Sequence, residues 1–315
     1  MKIVFLDAAT IGDDLTYESF EELGEVVIYS TTSDEEFEAH TQDADVVVIN
    51  KLKLNSINLP KATKLKLICL AATGFDNVDL DYCRKAGIGV CNVVGYSTQS
   101  VAQLTLSMVL SLYTNLTQFT DFVRSGEYTK IGLANRLIPI YHEIAGKTWG
   151  IVGYGNIGKQ VARVAEAMGC RVLVYKRDPI EGALCVDFDT VCQKSDILSL
   201  HVPLNEGTRN LLDEEHIAML KKNAVVINVA RGAVTDEAAL ASAILQGNIG
   251  GLGVDVYSKE PFAVEHPFNK IKHLPNVLLT PHMAWGGYET RVRLLAEIKE
   301  NIISFFAGQS RCRVD

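Results

Sequence analysis

The 315-residue sequence predicts an α/β protein with parallel sheets, on three observations. Its length suggests two domains. Two successive series of short, β-branched apolar runs are separated by segments with helical spacing, the pattern of a parallel sheet covered on both faces. The second series opens on a glycine loop set between a strand-like and a helix-like segment.

In the first series the strands are "KIVFLD" (2–7), "EVVIYS" (25–30), "DVVVIN" (45–50), "LKLICLAA" (65–72) and "GIGVCN" (87–92). Between them, "TYESFEELG" and "DLDYCRKAG" read as helices, each stopped by glycine. Residues 97–126 read as one long helix, with Val101, Leu104, Met108, Leu112 and Leu116 at three- and four-residue spacing. Residues 127–147, which include Pro139, read as a loop. The second series runs "TWGIVG", "RVLVYKR", "ILSLHV", "AVVINVA", "IGGLGVDV" and "NVLLTP", with helices over 157–168, 213–220 and 236–246. An amphipathic helix over 288–308 follows.

Composition excludes several classes. Apolar residues make up 48% and charged residues 22%, an ordinary soluble mixture. A net charge of −8 argues against a nucleic-acid partner, which needs clustered Lys and Arg. No apolar run is long enough to cross a bilayer, and the N-terminus lacks a signal-peptide core. Seven scattered cysteines without a CxxC pair suit reduced thiols in a cytoplasm. Structural-zinc spacing and a GxxxxGK[ST] loop are absent, so no metal is expected.

"GYGNIG" sets Gly153, Gly155 and Gly158 in a G-x-G-x-x-G pattern within a strand–helix–strand unit. The first glycine permits a tight turn and the second admits a pyrophosphate to the backbone. The third lets helix pack on strand. The phosphates would meet the free N–H groups and positive dipole end of the following helix. Downstream, a polar residue follows each of three strands: Arg231, then Asp255 and Glu260, then His282. Ligands of open α/β sheets bind beyond the carboxyl ends of strands, so these side chains can converge. Taken singly, each is as well explained as a surface or loop residue.

Six ordered motifs carry a resemblance over essentially the whole chain. They are "AATGFDNVD" (71–79), "GKTWGIVGYGNIG" (146–158), "LHVPLNEGTRNLL" (200–212), "INVARGAVTDEAAL" (227–240), "GLGVDVYSKEP" (251–261) and "PHMAW" (281–285). The sequence resembles the D-isomer-specific 2-hydroxyacid dehydrogenases. "GYSTQSVAQ" (95–103) and residues 143–158 look most like the hydroxypyruvate reductases, or glycerate dehydrogenases.

The resemblance implies two doubly wound parallel-sheet domains with the active site in the cleft between them. A flavodoxin-like substrate domain would span 1–98, completed by 288–315. A Rossmann-type dinucleotide-binding domain would span 99–287. It implies a homodimer and reduction of a small 2-oxoacid, hydroxypyruvate or glyoxylate, by a nicotinamide cofactor. His282 would be the acid, Glu260 its orienting partner and Arg231 the carboxylate clamp. Thr73 and Gly74 would add backbone N–H groups, and Asn50, with Lys51 beside it, would line the substrate. Cofactor contacts would come from Gly153, Gly155, Asn156, Ile157, Gly158, His201, Pro203, Thr208, Val229, Ala230 and Asp255. Asp255 is equally readable as an orienting or capping group, and Trp285 as a site wall or as packing. D-lactate-type, 2-ketoisocaproate-type and phosphoglycerate dehydrogenases are alternatives. So is a non-catalytic dinucleotide-sensing co-repressor.

Within this pattern one position departs. The acid that grips the adenine ribose would fall 18 residues after Gly158, where the sequence has Lys176, followed by Arg177. A cation pair suits a 2′-phosphate and favours NADPH over NADH. The alternative is that both point to solvent and Asp178 serves NADH.

Overall fold

A computed structural model describes residues 1–178 and 184–315. The chain divides into two compact units: Met1–Ser97 with Trp285–Asp315, and Thr98–Ala284. Residues 285–287, which the sequence assigns to the second domain, fall with the first unit, and Thr98 with the second.

The first unit is a five-stranded sheet of β1 (Lys2–Phe5), β2 (Glu25–Ile28), β3 (Val46–Ile49), β4 (Leu67–Leu70) and β5 (Gly89–Cys91). The order is β2-β1-β3-β4-β5, with every pair parallel. β3 and β4 are buried along their whole length, as continuous apolar runs require. Helices α1 (Phe37–Thr41) and α2 (Leu80–Ala86) belong here. Asp79 caps α2 by accepting from Tyr82 N, and Gly87 ends it in the left-handed region at φ +72°. "TYESFEELG" forms only a 3₁₀ helix, Glu18–Leu23; Phe20 is its one buried residue, too narrow an apolar face to sustain an α-helix. The C-terminal helix Tyr288–Phe306 packs Leu294, Leu295, Ile298 and Ile302 into a core with Ile3, Phe5, Val48 and Cys69. Beyond it the chain returns antiparallel along β5: Asn92 N donates to Cys312 O and Val314 N to Val90 O.

Helices α3 (Thr98–Thr114), α4 (Leu116–Arg124) and α5 (Glu127–Lys130) open the second unit. The single helix expected over 97–126 is broken at Asn115, which sits at φ +51°. Asparagine tolerates that conformation, and its amide donates to Ile140 O. Part of the expected loop is the short α5. The sheet comprises β6 (Thr148–Val152), β7 (Arg171–Tyr175), β8 (Ile197–Leu200), β9 (Val225–Asn228), β10 (Gly251–Val254) and β11 (Val277–Leu279). Its order is β11-β10-β9-β8-β6-β7, all parallel. Its helices are α6 (Asn156–Ala167), α7 (Phe188–Lys194), α8 (Glu214–Met219) and α9 (Glu237–Leu245). α3 lies close on this sheet because β10 carries glycines; a Cβ at Gly253 would sit 3.1 Å from Met108 Sδ. No helix among the described residues is long and apolar enough to cross a membrane.

Helix α6 is packed tightly on β6 at Gly158, where a Cβ would lie 2.1 Å from Gly153 O. Replacing Gly158 by Ala must therefore push α6 away from β6. We expect a loss of about 1–3 kcal/mol, read as a lower thermal midpoint. An unchanged midpoint would contradict this packing.

Candidate active site

Strand order reverses at β6, which has β7 on one side and β8 on the other. A crevice opens at such a point, beyond the carboxyl ends. The glycine loop stands there. Gly153 takes φ +95°, open to glycine and strained for other residues, and donates to Tyr175 O at 2.9 Å. Gly155 caps α6, and no atom lies within 4 Å of where its Cβ would be. That open face leads to the first N–H groups of α6, at Asn156, Ile157 and Gly158, which the helix itself leaves without acceptors. An elongated anion fits there, and the residues present match a dinucleotide pyrophosphate.

Past β7, a cavity of ≈ 540 Å³ is lined by Tyr175, Lys176, Arg177, Cys185, Val186 and Asp187. Lys176 is half-buried in it. Arg177 and Asp178 are 90% and 80% exposed and meet only at 3.7 Å, a weak solvated pair. The Asp187 carboxylate is spent capping α7, accepting from Thr190 N and Oγ1.

His201 follows β8, with its carbonyl against Gly153. Its Nε2 meets Ser199 Oγ at 2.9 Å, and Ser199 Oγ accepts from Trp149 Nε1 at 2.9 Å. Its Nδ1 is buried without a partner among the described residues. Burial pulls this imidazole down to about 3. Thr208 Oγ1 donates to Pro203 O and accepts from Asn205 N, closing the 203–208 loop on itself.

After β9, Asn228 is fully buried and holds the next turn from both sides. Its amide donates to Arg231 O, and its oxygen accepts from Ala230 N. Val229 and Ala230 are each 8% exposed. Arg231 Nη1 donates to Ala230 O at 2.8 Å. Sequence reasoning missed Asn228; an asparagine closing an apolar strand in "VVINVAR" was the available signal.

Asp255 is also fully buried. Its carboxylate accepts from Thr280 Oγ1 (2.5 Å), Met283 N (2.9 Å) and Ala284 N (2.9 Å). Burial outweighs these bonds and holds the carboxyl above its usual range. With these donors taken from residues 280–284, Asp255 anchors that turn. Inside the anchored turn His282 is held at φ +52°, and its N–H donates to Asp255 O. His282 Nδ1 lies 2.6 Å from Glu260 Oε2, and Tyr257 N donates to Glu260 Oε1 at 3.0 Å. The two side chains are 22% and 29% exposed. The carboxylate thus takes Nδ1–H and leaves Nε2 outside this pair.

Asn50, Lys51, Thr73, Gly74 and Trp285, all singled out in the sequence, lie in the first unit. Asn50 is 5% exposed, and its amide donates to Thr10 O and Oγ1. Asp7 accepts from the N–H groups of Asn50, Lys51 and Leu52, so this strand end is fixed internally. Thr73 is exposed; its hydroxyl donates to Val93 O, and its carbonyl accepts from Asn92 Nδ2. Neither Thr73 N nor Gly74 N has an acceptor among the described residues. Trp285 packs into the first unit's core, edge-on to Tyr96.

A reversing parallel sheet, a glycine loop at its switch point and a paired His–Glu on the same edge of that sheet define a dinucleotide-dependent oxidoreductase. The family model "D-isomer specific 2-hydroxyacid dehydrogenase, NAD binding domain" matches residues 106–284. The chain belongs to this family. It is 37% identical over 310 residues to a glycerate dehydrogenase of Methylorubrum extorquens, covering 98% of this chain and 97% of that one. It is 36% identical to a glyoxylate reductase of Thermococcus litoralis, covering 85% and 81%. Among solved structures, an acyclic imino acid reductase in complex with NADPH and D-Arg superposes with a TM-score of 0.88 at 29% identity over both full chains. A D-lactate dehydrogenase of Aquifex aeolicus with NAD and lactic acid gives 0.85 at 30%, covering 97% and 96%.

His201 yields a pH prediction. An imidazole depressed in the folded chain stabilises it fully above its unfolded value near 6.5, and that contribution is lost as pH falls toward 3. We expect His201→Gln to reduce the acid-side loss of stability between these values, by on the order of 3 kcal/mol. Parallel denaturation series at several pH values measure it. Identical slopes for the two proteins would sink the assignment.

Proposed function

We propose that the protein reduces a small 2-oxoacid, hydroxypyruvate or glyoxylate, to the D-2-hydroxyacid. The observation that carries this is the His282–Glu260 pair, fixed at 2.6 Å on an anchored turn. The glycerate dehydrogenase and glyoxylate reductase relatives support the substrate class. When bound, a reduced nicotinamide supplies the hydride. His282 donates a proton from Nε2 to the carbonyl oxygen as charge grows there, and takes one back in the oxidative direction. Glu260 keeps the ring in register by accepting Nδ1–H. Arg231 holds the substrate carboxylate through its planar fork. Thr73 and Gly74 add backbone N–H donors to that carboxylate, because theirs are unengaged among the described residues. Asn50, held by Thr10, lines the substrate at the end of its strand.

Gly153, Gly155, Asn156, Ile157 and Gly158 cradle the pyrophosphate, with His201, Pro203, Thr208, Val229 and Ala230 along the same edge. Lys176, half-buried in its cavity, and Arg177 pair with a 2′-phosphate, so NADPH is the preferred cofactor. The NADPH complex of a structural neighbour is consistent with this. The protein acts in the cytoplasm, in keeping with buried thiols at Cys69, Cys83 and Cys192.

It does so as a homodimer. Leu116, Val123, Leu133, Leu137, Ile138 and Ile140 are each more than half exposed along one stretch of the second unit, an apolar surface that a second copy would cover.

Steady-state assays with hydroxypyruvate and glyoxylate test the chemistry. His282→Gln should lower kcat about 100-fold or more, and near-normal turnover would end the acid–base assignment. In the same assays kcat/KM should be higher for NADPH than NADH, with Lys176→Asp reversing the order. A wild-type preference for NADH refutes the 2′-phosphate reading. Light scattering should give a dimer mass, and Ile138→Glu with Ile140→Glu should give a monomer. A monomeric wild type excludes the interface.

A further inference from the structure

Residues 257–260, between β10 and the Glu260 carboxylate, meet the elements that carry all three proposed active-site side chains. A Cβ at Gly232 would lie 2.0 Å from both Tyr257 C and Ser258 N, so the turn carrying Arg231 is pressed flush on this segment. Tyr257 OH donates to Thr280 O at 2.9 Å, tying the segment to the turn carrying His282. Tyr257 N donates to Glu260 itself.

What holds the segment is Glu237, the first residue of α9. Its carboxylate accepts from Ser258 N (2.9 Å), Ser258 Oγ (2.5 Å) and His266 Nε2 (3.0 Å). The two side chains, Glu237 and His266, are only 10% and 9% exposed. Phe268 N donates to His266 Nδ1 at 3.2 Å, which makes Nδ1 an acceptor and places the ring proton on Nε2, facing Glu237. The imidazole is packed among Tyr257, Phe262 and Phe268, with centroids 6.1, 4.8 and 4.9 Å away. The helix N-terminus favours the carboxylate's charge.

We infer that Glu237 and His266 form a positioning pair that fixes Ser258 and, through residues 257–260, sets Glu260 against His282. The pair touches no reacting atom. Its role rests on the proposed role of Glu260. A buried carboxylate with three donors resists displacement, because moving Ser258 would strand a charge. Small displacements of a reacting group cost large factors in rate.

A double-mutant cycle tests it. The rate of NADPH oxidation is measured for the wild type, Glu237→Gln, Glu260→Gln and the double variant, with hydroxypyruvate or glyoxylate, whichever turns over faster. Glutamine at 237 turns one of the accepted bonds into a donor–donor contact. We expect Glu237→Gln alone to lower kcat about tenfold or more, with KM for NADPH within twofold of wild type. In the Glu260→Gln background the same change should lower kcat less than threefold, since the residue it positions is already lost. Equal losses in both backgrounds, or an unaltered kcat in Glu237→Gln, overturn the inference. Wild-type kcat in Glu260→Gln instead overturns the role of Glu260 and the inference with it. Should Glu237→Gln fail to fold, His266→Phe keeps the ring packing and removes both ring hydrogen bonds. It should give the same non-additive loss, and additive losses again overturn the inference.

Discussion

Parallel pairing throughout the six-stranded sheet decides where this protein can do chemistry. Every strand of β6 to β11 points the same way, so Gly153, His201, Arg231, Asp255 and His282 all emerge on one edge. A single antiparallel strand would send its loop to the opposite side. The buried faces that parallel strands demand leave little polar material within the sheet. Polar groups gather where the strands stop. There Asn228 and Asp255, both fully buried, take up backbone groups that the ladders no longer satisfy. The strand ends are thus rigid before any ligand arrives.

That rigidity has a division of labour. Asp255 and Asn228 spend their hydrogen bonds on turns. Glu260, His282 and Arg231 stay partly exposed and able to meet a substrate. The same logic separates His201 from His282. One is buried against Ser199 and stays neutral through the physiological range; the other pairs with a carboxylate at the surface. Two histidines on the same sheet edge differ in use because one ring bonds Ser199 and the other a carboxylate.

The eleven strands were legible in the sequence because apolar runs flanked by glycine and polar turns have few other uses. The glycine loop was legible because its three glycines fall at a fixed local spacing between a strand-like and a helix-like run. Breaks governed by one residue were not. Asn115 interrupts an apolar periodicity that runs past it, and pattern reading sums over windows longer than one position. Nor were the hydrogen-bond partners of Asp255 and Asn50 readable, since Thr280 and Thr10 lie 25 and 40 residues away and are found only by folding. Glu237 carried no sequence signal of its own, since Ser258 and His266 reach it from 21 and 29 residues on.

The first unit is made from both ends of the chain. Leu294, Leu295, Ile298 and Ile302 fill its core, and residues 312–314 run along the edge of β5. During synthesis the second unit is therefore complete in sequence before the first can close. The opening 97 residues must wait, with one side of their sheet uncovered, for about 190 more to be added. Such a wait exposes apolar strand faces to misassociation. The order of translation, and not only the final packing, makes the last thirty residues indispensable to the first hundred.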